Sequence, residues 1–205
     1  MYFYLFAAKS IPQGEWSMTY YHCSPTAGIM ALEPRTPEAF GKTAGVYLTT
    51  SLPMALMYGI RNYEYSYGYT REGQIHLDEY FPDALEALYR GRSASLYICA
   101  PESAEPGAIP NEAVSGKTVP VIREIVIPDV CEALLEQERL GALIIRRYPE
   151  LPPKMRSWIT KVEADTIRRK DLLNTPGEMA DYYRLHYPES WAAVKAEQEK
   201  AEGNT

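Results

Sequence analysis

The sequence predicts an α+β fold, made of one sheet domain followed by a helical extension. Short aromatic and β-branched runs, bounded by Gly, Pro and Ser, recur through the first three quarters of the 205 residues and are typical of strands. Segments with apolar residues at helical spacing lie between them. After Tyr148 the turn-like stretch YPELPP leads into charged, helix-favouring sequence. We therefore predict an α+β domain over residues 1–148 and a helical C-terminal extension over residues 149–205, packed on it.

The individual elements follow from the same patterns. The predicted strands, in chain order, are residues 2–8 (YFYLFAA), 18–23 (MTYYHC), 45–50 (GVYLTT), 94–100 (ASLYICA), 119–127 (VPVIREIVI) and 142–148 (ALIIRRY). The predicted helices are residues 51–62, 77–90, 130–140, 154–173, 176–185 and 189–199. Ser51 is the expected N-cap of the first helix, with Pro53 in its first turn.

Composition excludes several classes of protein. An apolar fraction of 46% with 23% charged residues is ordinary for a folded globular chain. The net charge of −6 disfavours nucleic acid as a partner. Three widely spaced cysteines give no disulfide framework or zinc motif and favour a reducing cytoplasm. No signal peptide is indicated and no apolar run is long enough for a transmembrane helix, so we expect no membrane association.

A tyrosine-rich segment follows the first predicted helix. Five of the seventeen tyrosines, Tyr58, Tyr63, Tyr65, Tyr67 and Tyr69, alternate there with Gly, Ser and charged residues. Tyrosine offers both stacking area and a hydroxyl, so this segment is interpreted either as an aromatic lip over a ligand site or as an edge hairpin with partly exposed rings.

Three strand residues together suggest a function. His22 ends a strand in YYHCSP, Tyr47 lies in GVYLTT, and Glu124 lies in VIREIVIPDV. This order resembles the H-Y-E signature of the ADP-ribosyltransferase fold, in the branch of diphtheria toxin and the poly(ADP-ribose) polymerases. The contexts are similar too, because the strand of Tyr47 leads into a helix that brings Tyr58 eleven residues later. The resemblance covers roughly residues 18–130.

The resemblance implies split antiparallel sheets around an NAD cleft, with NAD as substrate and no metal. Breaking the nicotinamide–ribose bond leaves an oxocarbenium-like cation, which a nearby carboxylate stabilises in the transition state. The resemblance gives this catalytic role to Glu124, which would also orient or deprotonate the acceptor. Tyr47 and Tyr58 would stack on nicotinamide, and His22 would hydrogen-bond the adenosine-side ribose.

Further contacts with NAD are implied around these residues. The main chain of Cys23, where the family usually has glycine, would pair with the nicotinamide amide, and its side chain would face solvent if His22 lines a cleft. Ser24 would add a hydrogen bond, and Arg35 would reach the pyrophosphate or the adenine side. Ala55 stands where the polymerases have a serine that holds the amide.

The resemblance therefore favours an NAD-dependent ADP-ribosyltransferase that modifies a protein or small-molecule acceptor, with bacterial effectors and toxins among its relatives. Within the same class, water as the acceptor would make the protein an NAD glycohydrolase. A catalytically silent module that binds NAD, ADP-ribose or a peptide is the alternative, and Cys23 and Ala55 favour it. An RNA 2′-phosphotransferase shares this fold, but the acidic balance and Glu124 argue against it.

Overall fold

The computed structural model describes residues 18–36, 44–60 and 66–203. The strands of these ranges are β1 Tyr20–Ser24, β2 Ala31–Leu32, β3 Val46–Thr49, β4 Tyr67–Tyr69, β5 Ile75–Asp78, β6 Ala94–Cys99, β7 Glu105–Pro106, β8 Glu112–Ser115, β9 Val119–Ile127 and β10 Ile144–Arg146. The helices are α1 Leu52–Met57, α2 Ala84–Tyr89, α3 Val130–Arg139, α4 Pro153–Arg169, α5 Glu178–His186 and α6 Pro188–Gly203, with a 3₁₀ turn at Tyr148–Glu150. The strand predicted at residues 2–8, Tyr63 and Tyr65 lie outside the described residues.

Two sheets organise the chain. Seven strands form an antiparallel sheet in the order β2-β9-β6-β1-β3-β8-β7. The smaller sheet has the order β10-β5-β4, and it is mixed because β5 pairs antiparallel with β4 but parallel with β10. The predicted α+β class is confirmed in its coarse form, a large antiparallel sheet with several helices.

The large sheet is weakly joined at its centre. β1 pairs with β6 along its whole length, from Tyr20 to Ser24. Its pairing with β3 consists of Tyr21 opposite Thr49 in the described part of the chain. In the described part of the chain this is the shortest ladder of the sheet, and it joins a β2-β9-β6-β1 half to a β3-β8-β7 half.

Apolar clusters cover the two faces of this sheet. The larger cluster packs α1 and α3 on one face, with Cys23, Leu96 and Ile127 contributed by the strands. A second cluster, which includes Val46, Leu48, Tyr97 and Val119, lies on the opposite face. Side chains alternate between faces along a strand, so β6 supplies Ala94 and Leu96 to the first cluster and Tyr97 and Cys99 to the second.

The helix predicted at residues 77–90 is wrong in its first half. Residues 75–78 form β5, whose four side chains are all buried between β4 and β10. Pro82 and the left-handed backbone of Asp83 (φ 57°) then separate this strand from α2. Sheet pairing, which is not visible in a local pattern, outweighs helical spacing here.

The predicted helix start at Ser51 is confirmed. The Ser51 hydroxyl accepts a hydrogen bond from the Met54 amide (3.4 Å), and Pro53 lies in the first turn. The helix is shorter than predicted, since it ends at Met57 with Tyr58 as its C-cap. Tyr58 therefore lies at the exposed end of α1, with 38% of its surface accessible.

The C-terminal helices form their own cluster against the rest of the chain. α4, α5 and α6 share this cluster with Phe81 and Ala84, which come from the segment that leads into α2. The buried carboxylate of Glu79 joins the same parts, because it accepts hydrogen bonds from the amides of Leu85 and Tyr148 (each 3.1 Å). None of the helices in the described ranges has the length and hydropathy of a membrane span.

Gly59 permits the close packing of the end of α1 on the sheet. A Cβ at this position would lie 2.9 Å from the Cys23 sulfur and 3.0 Å from the Ala94 Cβ. We expect Gly59→Ala to lower the free energy of unfolding by about 1–3 kcal/mol, because the neighbouring strands cannot move apart freely. Chemical denaturation monitored by circular dichroism measures this change.

Gly116→Ala is the matched control. A Cβ there meets no atom within 4 Å, so the unfolding free energy should remain within about 0.5 kcal/mol of the wild type or rise slightly. Equal stability of the two variants would show that α1 does not depend on this close approach.

Candidate active site

His22 and Glu124 lie in one row across three adjacent strands. Tyr97 of β6 is directly opposite His22 of β1 and directly opposite Glu124 of β9. Residues that are directly opposite each other project from the same face of a sheet. The Cα atoms of His22 and Glu124 are therefore two strand spacings apart, about 9–10 Å, on one face.

Two groups donate hydrogen bonds to the Glu124 carboxylate, and a third hydroxyl lies close to it. The Ser95 hydroxyl donates to Oε1 at 2.6 Å, and the Gly28 amide donates to the two oxygens at 3.1 and 3.2 Å. The Tyr97 hydroxyl lies 3.3 Å from Oε1. The hydrogen bond from Ser95 is the main cause that lowers the pKa of Glu124 below its ordinary value, and the hydrogen bond from Gly28 lowers it further. The carboxyl group is thus ionised at neutral pH, and it loses its negative charge only when the pH falls through this lowered pKa.

The loop between β1 and β2 crosses the carboxylate. Tyr97, whose side chain is fully buried, donates its hydroxyl proton to the Thr26 carbonyl at 2.6 Å and accepts a hydrogen bond from the Ile29 amide at 3.3 Å. Gly28, at the top of the loop, has a left-handed φ of +75°, which favours glycine. The loop is therefore anchored on Tyr97 and presents one amide to Glu124.

His22 follows Tyr21, the one residue of β1 with a described partner in β3. Its Nδ1 is 3.3 Å from the Tyr47 carbonyl oxygen, which can only accept, so Nδ1 carries the proton in this contact. Burial is the main cause that lowers the pKa of His22 below its ordinary value. The hydrogen bond to Tyr47 raises this pKa in part, and the positive charge of Arg35 lowers it. The ring is therefore neutral at pH 7, with Nε2 as an acceptor.

Tyr47 and Tyr58 lie on the other side of the sheet. Tyr47 shares a face of β3 with Thr49, whose hydroxyl contacts the Met54 sulfur of α1 at 3.3 Å, whereas Leu48 packs in the cluster of Tyr97. Tyr58 meets Tyr67 of β4 through their hydroxyls (3.0 Å) and through an edge-on ring contact. The His22 ring thus contacts the main chain of Tyr47 and not the Tyr47 ring.

The remaining predicted residues surround His22. The Cys23 side chain is buried in the core on the α1 face and does not face solvent as expected; burial raises the pKa of its thiol to about 12. The Ser24 hydroxyl accepts a hydrogen bond from the Thr26 amide (3.1 Å). Arg35 is exposed, its main chain pairs with Gly45, and its side chain makes no ion pair with any described residue.

Three residues of this site were not found from the sequence. Ser95 and Tyr97 lie two residues apart on one face of the buried strand β6. Buried polar side chains usually have a hydrogen-bond partner, so this pair indicated a polar group nearby. Gly28, in the turn PTAG, carried no signal beyond turn composition. Each of them acts on Glu124 from a distant part of the chain.

The site places an ionised carboxylate and a neutral imidazole on one face of the sheet. The exposed Arg35 adds a positive charge near the imidazole. In the described ranges, no group of three or more His, Cys, Asp or Glu side chains is arranged to hold a metal ion. The fold and the site therefore define an α+β protein with a carboxylate and an imidazole on one face of an antiparallel sheet. No family model, curated protein or solved structure matches this chain.

Ser95→Ala tests the electrostatics of Glu124 without any assay of activity. Removal of the shortest hydrogen bond should raise the pKa of Glu124 toward its ordinary value, so that the carboxylate protonates at a higher pH. Carboxyl ¹³C chemical shifts, followed by NMR through an acid titration, measure this pKa.

The matched control is Ser115→Ala. Ser115 is as buried as Ser95, with 2% against 3% of its surface exposed, but its hydroxyl bonds only to the main chain of Lys117. An unchanged pKa of Glu124 in Ser95→Ala, or an equal shift in the control, would contradict this account of the carboxylate.

Proposed function

We propose that the protein is an NAD-dependent ADP-ribosyltransferase that transfers ADP-ribose to a protein or small-molecule acceptor. One observation carries the proposal, namely that His22 and Glu124 share a face of the sheet, in register through Tyr97. The H-Y-E resemblance requires such an approach of a ribose-binding imidazole and a carboxylate. Nothing in the local sequence around either residue imposes it.

The reaction uses the carboxylate in its ionised form. The bond between ribose C1′ and the nicotinamide nitrogen breaks, and its electron pair leaves with nicotinamide. Glu124 stabilises the positive charge that develops on the ribose. The acceptor's nucleophilic atom then bonds to C1′ and loses its proton to Glu124 or to solvent, which gives ADP-ribosylated acceptor, nicotinamide and one proton. Water as the acceptor gives ADP-ribose by the same steps.

An extended dinucleotide that uses all four predicted residues has to contact both faces of the sheet. Tyr47 and Tyr58 lie on the α1 side, whereas His22 and Glu124 lie on the opposite side. NAD that contacts all four residues must therefore cross between β1 and β3, beyond their one described pair and beside the main chain of Cys23. Nicotinamide then stacks on the tyrosines, and the riboses meet His22 and Glu124. Arg35, close enough to lower the pKa of His22, supplies a positive charge for the pyrophosphate.

One observation favours the alternative function, a silent module that binds NAD or ADP-ribose. The Glu124 oxygens already accept hydrogen bonds from Gly28 and Ser95. A ribose hydroxyl that binds at the position of the Gly28 amide has to displace this amide from the carboxylate. If this exchange does not occur, the cleft binds its ligand without turnover.

Nicotinamide release by the purified protein is the decisive measurement. Glu124→Gln keeps the shape of the side chain but removes its charge, so we expect the release rate to fall by about a hundredfold or more. Chromatographic detection of nicotinamide after incubation with NAD measures the rate.

Glu105→Gln is the control for Glu124→Gln. Glu105 is an exposed glutamate in β7, at the far edge of the same sheet, and its substitution should leave the rate unchanged. Binding of ADP-ribose without nicotinamide release would favour the silent module. The absence of both binding and release would exclude NAD as the ligand.

A further inference from the structure

A cleft lies between the sheet domain and α5. Its volume is about 990 Å³, which is large enough for a nucleotide-sized ligand. The sheet side contributes Pro25 and Thr26, which follow β1, and residues 91–93, which precede β6. α5 forms the other wall, so the cleft depends on the packing of the C-terminal extension on the sheet domain.

One face of α5 lines this cleft. Glu178, Tyr182 and His186 are four residues apart, so their side chains project from the same side of the helix. His186 packs against Phe81 at a ring centroid distance of 4.1 Å and against Tyr182 at 4.7 Å, which fixes the aromatic wall. Burial lowers the pKa of His186, so the imidazole is neutral at pH 7.

Opposite charges line the two walls. The side chains of Arg92 on the sheet side and Glu178 on α5 make no ion pair or hydrogen bond with any described residue. This differs from the neighbouring Arg90, whose guanidinium pairs with Glu132 at 2.9 Å and Glu86 at 3.6 Å. The cleft therefore combines a cation, a carboxylate and aromatic side chains above an apolar floor that includes Ile60 and Leu88.

We propose that this cleft binds a purine nucleotide that carries an exocyclic amine. Arg92 pairs with a phosphate, Tyr182 packs against the base, and Glu178 accepts a hydrogen bond from the amine. A basic peptide side chain would use Glu178 but would repel Arg92, whereas an amino-purine nucleotide uses both charges. The neutral ring of His186 can donate or accept a hydrogen bond to the base or the ribose.

The cleft adjoins the candidate active site through Thr26. Thr26 lines the cleft, and its carbonyl accepts a hydrogen bond from the Tyr97 hydroxyl. The same hydroxyl lies beside Glu124. The nucleotide is therefore either the ADP half of NAD or a free nucleotide. Only the first of these sources rests on the proposed function.

Calorimetric titration with ADP and GDP tests the site. Arg92→Ala should weaken binding of the preferred nucleotide about tenfold, because a charge-assisted hydrogen bond is lost. Glu178→Gln should weaken it several-fold. Both residues are exposed, so the variants should unfold at the wild-type midpoint.

Two controls match these variants. Arg90→Ala removes a cation from the same turn outside the cleft, and Glu189→Gln removes a carboxylate from the first turn of α6. Each should leave the nucleotide affinity within about twofold of the wild type. The inference is overturned if neither nucleotide binds, or if Arg92→Ala and Glu178→Gln bind as the controls do.

Titration with NAD identifies the source of the nucleotide. Weaker NAD binding in both Arg92→Ala and His22→Ala assigns the cleft to the ADP half of NAD. Unchanged NAD binding in Arg92→Ala, together with weaker ADP or GDP binding, assigns it to a free nucleotide. If nucleotide binding depends on Arg92 but no nicotinamide is released, the cleft is confirmed and the proposed function is contradicted. If nicotinamide release depends on Glu124 but no nucleotide binds through Arg92, the proposed function is supported and the cleft is contradicted.

Discussion

The buried phenol of Tyr97 organises the candidate active site. A hydroxyl has one proton to donate, and the 2.6 Å contact shows that the Thr26 carbonyl receives it, while the Ile29 amide occupies an acceptor position of the oxygen. The Ser95 hydroxyl therefore serves as the near donor to Glu124, and Tyr97 fixes the loop above it. A phenol with no accessible surface cannot exchange these partners for water, so loop, strand and carboxylate form one unit.

The sheet combines a rigid half with a joint. β1, β6 and β9 pair over most of their lengths, which sets the register of the row that contains His22 and Glu124. The described pairing of β1 with β3 is limited to one residue pair, which leaves main-chain groups at the centre of the molecule available for other contacts. The position of His22 relative to Glu124 thus depends on long ladders, and any ligand that contacts both faces of the sheet has to pass where a ladder is short.

Local pattern was sufficient for the strands that carry His22, Tyr47 and Glu124, because apolar runs with β-branched residues have few other structures open to them. It failed at residues 77–78, where helical spacing competes with burial between two other strands. The contacts of Ser95 and the cleft at α5 could not be predicted, since both join parts of the chain far apart in sequence. Nor does strand alternation alone reveal that the ring of Tyr47 lies on the face opposite His22, because this depends on the pairing register.

The Gly28 amide occupies one side of the Glu124 carboxylate. For a ligand hydroxyl that takes the place of this amide, the apparent affinity is the intrinsic affinity multiplied by the fraction of molecules in which the loop has released the carboxylate. Hydrogen exchange at this one amide reports that fraction directly. Changes in the β1–β2 loop can therefore tune how readily the site accepts a ligand, without altering any residue that touches it.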